Sequence, residues 1–100
     1  MNGAATRNVR TAGFKEQLGR LPEPIQELAE AAFRLFVENP SHSSLRHHAL
    51  RDSDSSRHRA GSFSVSITMR YRAVYVRDGE TNVWYWIGSH ADYDTFTSAR

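Results

Sequence analysis

The sequence predicts an α+β domain in which a helical pair comes first and a twisted antiparallel sheet of three to four strands follows. Three observations carry this: apolar residues at three- and four-residue spacing between Pro22 and Asn39, strict alternation of Phe63, Val65 and Ile67 with serines and a threonine, and the β-rich runs Tyr71–Val76 and Val83–Ile87. Period 3.6 in the first half and period two in the second mean segregated layers.

The elements follow in order. A brief strand near Thr6 to Arg10 could open the chain. Phe14 and Leu18, with Leu21, mark a short helix, joined around Arg20 to Glu23 to a longer one. In the longer helix Ile25, Leu28, Ala29, Ala32, Leu35 and Phe36 form one stripe. Pro22 suits its first turn, Glu23 and Glu27 complement the positive end of its dipole, and Asn39-Pro40 stops it. Beyond Pro40, Leu45 and Leu50 bracket a polar stretch. Arg51 to Gly61 has no apolar periodicity and is expected to be a mobile basic loop. Ser62 to Thr68 then alternates as a strand with one face in the core, and Asp78-Gly79 supplies the turn between the last two strands. A short C-terminal helix or tail closes the domain. On a regular last strand Trp84 and Trp86 share one face. Tyr85 and Ile87 share the other with Val83, which puts these two in the core and leaves the tryptophans to a partner or to the tail Asp94 to Arg100.

One hundred residues with 39% hydrophobic content make one domain, residues 1–100, with no room for a separate cofactor domain. The absence of cysteine removes disulfides and thiolate metal sites, and fits a reducing cytoplasm. No signal peptide or membrane span is legible, so a soluble protein is expected. Net charge is only +2, but its distribution is uneven. Residues 41 to 77 hold seven arginines against two aspartates, whereas residues 78 to 100 hold one arginine against four acids. A basic centre favours a nucleic-acid or acidic-protein partner over a neutral metabolite.

Within that centre, Arg72 lies inside one strand and His90 just beyond the end of the next. An arginine forks onto phosphate oxygens, and histidine moves protons near neutral pH. The pair points to phosphodiester chemistry or phosphate binding. Arg72 has a plainer role available, an ion pair with Asp92 or Asp94 on the sheet surface, and His90 could simply cap the terminal helix. Arg46, His47 and His48 resemble a rail for a phosphate backbone. Adjacent strand residues point to opposite faces, so only one of the two histidines can face the site. No metal or cofactor site is read from the spacing of histidines and carboxylates.

These motifs, Tyr71-Arg72-Ala73-Val74-Tyr75 and Ile87-Gly88-Ser89-His90, together with Leu21-Pro22, Asn39-Pro40, Leu45 to Leu50 and Gly61 to Ile67, resemble the RelE/ParE toxin superfamily of bacterial type II toxin-antitoxin systems. The resemblance covers nearly the whole chain. It implies a compact αβ toxin neutralised by a cognate antitoxin. RelE-like members cut mRNA on the ribosome without a metal, and ParE-like members poison DNA gyrase by binding. It further implies that Arg72 contacts phosphate and that His90 matches the catalytic histidine of YafQ-like and HigB-like members. Ser64 and Ser66 stand where RelE has two lysines. On this reading His90 is the general acid, Arg72 stabilises the phosphate, His58 or His48 is the base, and Tyr93 stacks on or orients a nucleotide. The RNA-binding cations would be Arg46, His47, Arg57, Arg59 and Arg70, with the charge of the missing lysines supplied by Arg70 or by the Arg57-His58-Arg59 loop.

Overall fold

The computed structural model describes residues 7–51 and 57–97. Strand β1 (Arg7–Arg10) leads into α1 (Ala12–Gly19) and α2 (Glu23–Glu38). A single 3-10 turn (Ser43–Leu45) precedes β2 (His48–Ala49), and β3 (Ser62–Thr68), β4 (Tyr71–Asp78) and β5 (Thr81–Ser89) form a meander that ends in α3 (His90–Thr97). Thr6, the middle of the expected basic loop at 52–56 and the end of the expected tail at 98–100 lie outside the described residues.

The helical pair, its boundaries and the three-stranded meander stand where the periodicity puts them. The sheet is larger than a three- or four-stranded antiparallel one: it has five strands in the order β1-β5-β4-β3-β2, and β1 runs parallel to β5. Parallel pairing is possible because α1 and α2, the meander and the rest of the chain intervene, giving the crossover that a hairpin cannot. Thr11 Oγ1 accepts the Phe14 N–H at 3.1 Å and starts α1. Pro22 is the N-cap of α2 and Asn39 its C-cap, with the Asn39 N–H donating to the Leu35 carbonyl at 2.7 Å. Gly79, at φ 62°, gives the β4–β5 turn its left-handed residue.

Two sequence expectations are corrected. Of the expected α2 stripe, Ala29 and Phe36 are buried and Ala32 and Leu35 pack against the core, but Leu28 stays 47% exposed while Phe33 sets edge-on to Trp84 at 5.8 Å. The helix is thus rotated from the expected stripe toward Phe33, because the aromatic floor of the sheet offers the larger contact. On β5 the register shifts opposite Val74 and Tyr75: Tyr75 faces Trp84, whereas Val74 faces Trp86. Tyr85 is the extra residue of a β-bulge, and from there on side-chain parity inverts. Trp84 and Ile87 are therefore both core, at 2% exposure each, and Tyr85 and Trp86 both face the opposite side.

The helix-facing core gathers Phe14, Phe36, Leu45, Val65, Tyr75 and Trp84. Its rim is closed by Arg10, whose guanidinium forks onto Glu30 at 2.8 and 2.9 Å and lies 4.7 Å above the Phe33 ring. This hydrogen bond holds the Glu30 carboxyl below its ordinary pKa, and it ties β1 to α2. On the other face Ser62, Ser64 and Ser66 lie opposite Val76, Val74 and Arg72, and all three serines are buried. There Phe96 of α3 stacks on Trp86 at 4.8 Å with the rings 6° apart.

The bulge makes a specific demand on Gly88. A Cβ at that position would come within 2.9 Å of the Trp86 ring, which Phe96 holds in place. Gly88→Ala should destabilise the fold by about 1–3 kcal/mol, the usual range for overpacking, whereas Gly19→Ala, with nothing within 4 Å of the added methyl, should cost nothing. Urea unfolding of the two variants gives the comparison; equal midpoints would mean that Trp86 is not confined.

Candidate functional site

The site forms where β5 hands over to α3. Ser89 pairs with Tyr71 and Gly88 with Arg72, and the His90 N–H donates to the Arg70 carbonyl at 2.6 Å. Ser89 Oγ then accepts the Asp92 N–H at 3.2 Å, so Ser89, and not the His90 side chain, caps the helix start. Periodicity of α3 places His90, Tyr93 and Asp94 on one face. Arg72, on β4, meets that face: its Cζ lies 5.8 Å from the centre of the Tyr93 ring, and the His90 ring lies 6.2 Å from the same ring. Tyr93 is thus the shared neighbour of the two residues singled out in the sequence.

Arg72 is anchored on one side only. Its Nη1 donates to the carbonyls of Thr68, Met69 and Tyr71 at 2.8, 3.1 and 3.2 Å, fixing the guanidinium over the β3–β4 turn. Nε and Nη2 have no hydrogen-bond partner among the described residues. Two donors in the planar geometry that suits a phosphate therefore remain available. The expected pairing with Asp92 or Asp94 is not made. Asp94 instead sets Oδ2 3.4 Å from His90 Nε2, leaving His90 half exposed. The sequence signal for Asp94 as the partner of His90 is the four-residue spacing, which becomes readable only once His90 is the first residue of a helix.

The remaining candidates separate into three groups. Arg70 is exposed beside the site, its carbonyl already used by His90. His48 lies opposite Ser64, and so shares the face of Ser66 and Arg72, two strands away from β4 at about 4.8 Å per strand. Its Nδ1 is bonded to the Arg46 carbonyl at 2.8 Å. His58, Arg57 and Arg59 gather at the opposite end of α3, about 9 Å along the helix axis from His90 at 1.5 Å per residue. There His58 is buried against Phe96, the Arg57 N–H donates to the Phe96 carbonyl, and the Arg59 guanidinium lies 5.3 Å from the Tyr85 ring. Tyr85 OH, in turn, meets Ser62 Oγ and the Arg59 N–H.

His47 does not reach the site at all. It points to the helix-facing side, with Nε2 2.7 Å from Tyr75 OH and its ring edge-on to Phe36 at 5.3 Å. The rule that only one of the neighbouring histidines faces the site therefore selects His48. Burial lowers the pKa of His47 from the ordinary 6.5, with a hydrogen bond to the Pro40 backbone opposing and the neighbouring His48 adding to the shift. Burial also pushes the Tyr75 hydroxyl up to about 12. No group of three or more His, Asp or Glu residues that could hold a metal ion is found among the described residues, and no helix among them is long and apolar enough to cross a membrane.

No protein-family model matches the chain, and no curated protein matches it in sequence. Solved structures do. The chain is similar to YafQ from E. coli, with a TM-score of 0.67 and 13% identity over 88% of this chain and 98% of that one. It is similar to the YoeB/ParE toxin from Agrobacterium tumefaciens, with a TM-score of 0.62 and 19% identity over 85% and 99% of the two chains. It is also similar to a chain of the toxin-antitoxin complex RelBE2 from Mycobacterium tuberculosis, with a TM-score of 0.63 and 26% identity over 87% and 100%. The chain has the RelE/ParE-like toxin fold.

The lowered pKa of His47 has a measurable sign. Between 6.5 and the folded value the unfolded chain binds the proton and the folded one does not, so His47 withdraws stability as pH falls through that window. His47→Gln should flatten the loss of stability between pH 7.5 and 5 relative to the parent, by at most about 1.4 kcal/mol per pH unit for one proton. Parallel slopes in urea titrations of the two proteins would show that His47 is not the buried group described.

Proposed function

We propose that the chain is the toxin of a type II toxin-antitoxin system and that it cleaves mRNA on the ribosome without a metal ion. The convergence of Arg72 and His90 on Tyr93 is the observation that carries this reading. It is supported by the fold, shared with proteins named as toxins, among them those of the toxin-antitoxin complexes DinJ-YafQ and RelBE2. A cognate antitoxin is accordingly the expected partner, and the cytoplasm the place of action.

The chemistry runs as an internal transfer. A 2′-hydroxyl attacks the adjacent phosphorus, the bond to the 5′-oxygen breaks, and a cyclic phosphate and a free 5′-hydroxyl result. Arg72 Nε and Nη2 take the charge that grows on the non-bridging oxygens. His90 protonates the leaving 5′-oxygen, with Asp94 holding the ring. Tyr93 stands between them, where it can stack on a nucleobase and keep the phosphate in line. His48, on the same sheet face but two strands from β4, is the candidate base. His58, buried under the far end of α3, is the weaker candidate for that role on position alone.

A second reading follows from β3. Ser64 and Ser66 present no charge where RelE has lysines, and both are buried. A ParE-like toxin that inhibits DNA gyrase by binding needs neither lysine, and this favours that alternative.

Expression of the parent chain separates the two. The ribonuclease reading expects translation arrest with new 5′ ends in translated messages, reduced by about 10²- to 10⁴-fold in His90→Ala and about 10²- to 10³-fold in Arg72→Ala. Induction of the DNA-damage response with intact messages would select gyrase instead. Full toxicity of His90→Ala would remove that histidine from the mechanism.

A further inference from the structure

Beside the candidate site lies a second polar groove. β2 covers only Ser64 and Phe63 of β3, so among the described residues the edge of β3 from Ser66 onward carries no further strand. The 3-10 turn stands off that edge, and a groove of about 450 Å³ opens between them, lined by Ser43, Ser44, Arg46, Ser66 and Thr68 with the apolar side chains of Ile67 and Met69. Its polar part consists of hydroxyls and one guanidinium, with no carboxylate, and Ile67 and Met69 make up the apolar remainder. Such a lining suits an anion rich in oxygen acceptors.

Arg46 is held at this groove against the preference of its backbone. At φ 46° and ψ 42° it is the one non-glycine residue in the left-handed region among the described residues. Its N–H donates to the Ser43 carbonyl at 3.2 Å and its own carbonyl accepts from His48 Nδ1 at 2.8 Å, so the turn is fixed from both sides. Glycine would serve that backbone better, yet the position carries an exposed arginine with no ion-pair partner among the described residues.

The groove and the site share a boundary. Ser66 lines the groove and lies opposite Arg72 in the β3–β4 register, on the same face of the sheet, and Arg72 Nη1 rests on the carbonyl of Thr68, another lining residue. From β4 across β3 to the groove beyond its edge is roughly two strand spacings of about 4.8 Å, and the Arg72 guanidinium covers part of that step by reaching the Thr68 carbonyl at 2.8 Å.

We propose that this groove is a second phosphate subsite, which takes the phosphodiester next to the scissile one in a single-stranded RNA, with Arg46 as its cation. The proposal rests on the ribonuclease reading. It relocates the positive charge that β3 lacks: Ser64 and Ser66 leave the strand neutral, and the opposing wall of the groove supplies the guanidinium.

The test uses the full chain and an RNA octamer with 2′-O-methyl sugars, which binds but cannot be cleaved, titrated at low salt by fluorescence anisotropy, with thermal unfolding in parallel. Arg46→Gly removes the charge and relieves the left-handed backbone. It should weaken RNA binding about tenfold and lower the slope of log affinity against log salt by about 0.7, the loss of one phosphate contact on a single strand, while the melting temperature stays the same or rises. Arg46→Lys should recover part of the affinity. A merely structural role for Arg46 predicts the opposite pairing, a lower melting temperature with unchanged binding. Unchanged RNA affinity in Arg46→Gly, with affinity still lost in Arg72→Ala, overturns the second subsite alone. No RNA binding by the parent chain, together with intact messages in cells, overturns the ribonuclease reading and the subsite with it.

Discussion

The β-bulge at Tyr85 is the constraint on which the rest of this structure depends. A regular β5 would put Trp84 and Trp86 on one face and Tyr85 and Ile87 on the other, giving one overfull core and one surface without a large anchor. The extra residue sends Trp84 and Ile87 toward α1 and α2, and Tyr85 and Trp86 toward α3. Each face then has its own aromatic anchor. Phe36 meets Trp84 edge-on at 5.2 Å on one side, and Phe96 stacks on Trp86 on the other. Geometry of both kinds is favourable beyond the area it buries.

The geometry of the candidate site is a consequence of that second anchor. Phe96 fixes the far end of α3 on Trp86, and the His90 N–H bonded to the Arg70 carbonyl fixes the near end. Between these two points the helix can present only one face to β4, the face that carries Tyr93 above Arg72. The serines of β3 contribute by being small. Their side is occupied by neighbours of β4 and by the Arg59 and Tyr85 contacts at Ser62, which a row of long side chains would crowd out. Neutrality on that strand and close packing over it are therefore two aspects of one choice of residue.

Much of this was legible in the sequence, because the signals were local. The spacing from Ile25 to Phe36 and the proline and asparagine around it marked α2; serine alternation marked β3; Asp78-Gly79 marked the last turn. Arg72, His90 and Tyr93 stood out by residue type in and just beyond predictable strands, and the fold sets them side by side. What escaped was decided by partners far away in sequence. The parity rule assumes an uninterrupted ladder, so Val83 to Ile87 could not reveal where a residue would be left over. The choice between His47 and His48 followed from the pairing of β2 with β3, and the left-handed turn at Arg46 from the same junction. Leu28 looked like core because periodicity gives the face of a helix only to within one neighbouring row, and the aromatic floor drew α2 toward Phe33.

The parallel β1–β5 pair also sets the order in which the molecule can assemble. Asn8 accepts hydrogen bonds from Asn82 and Trp84 across separations of 74 and 76 residues, whereas the β4–β5 turn closes locally. By the logarithmic dependence of loop closure on length, joining β1 without its neighbours in place costs roughly 2–3 kcal/mol more than closing the hairpin. The first strand is thus the keystone set last: it has no seat until Thr81–Trp84 have been synthesised and paired with β4. Arg10, and with it the clamp on Glu30, arrives only then. A nascent chain consequently stays open along that edge of the sheet until β5 has been made.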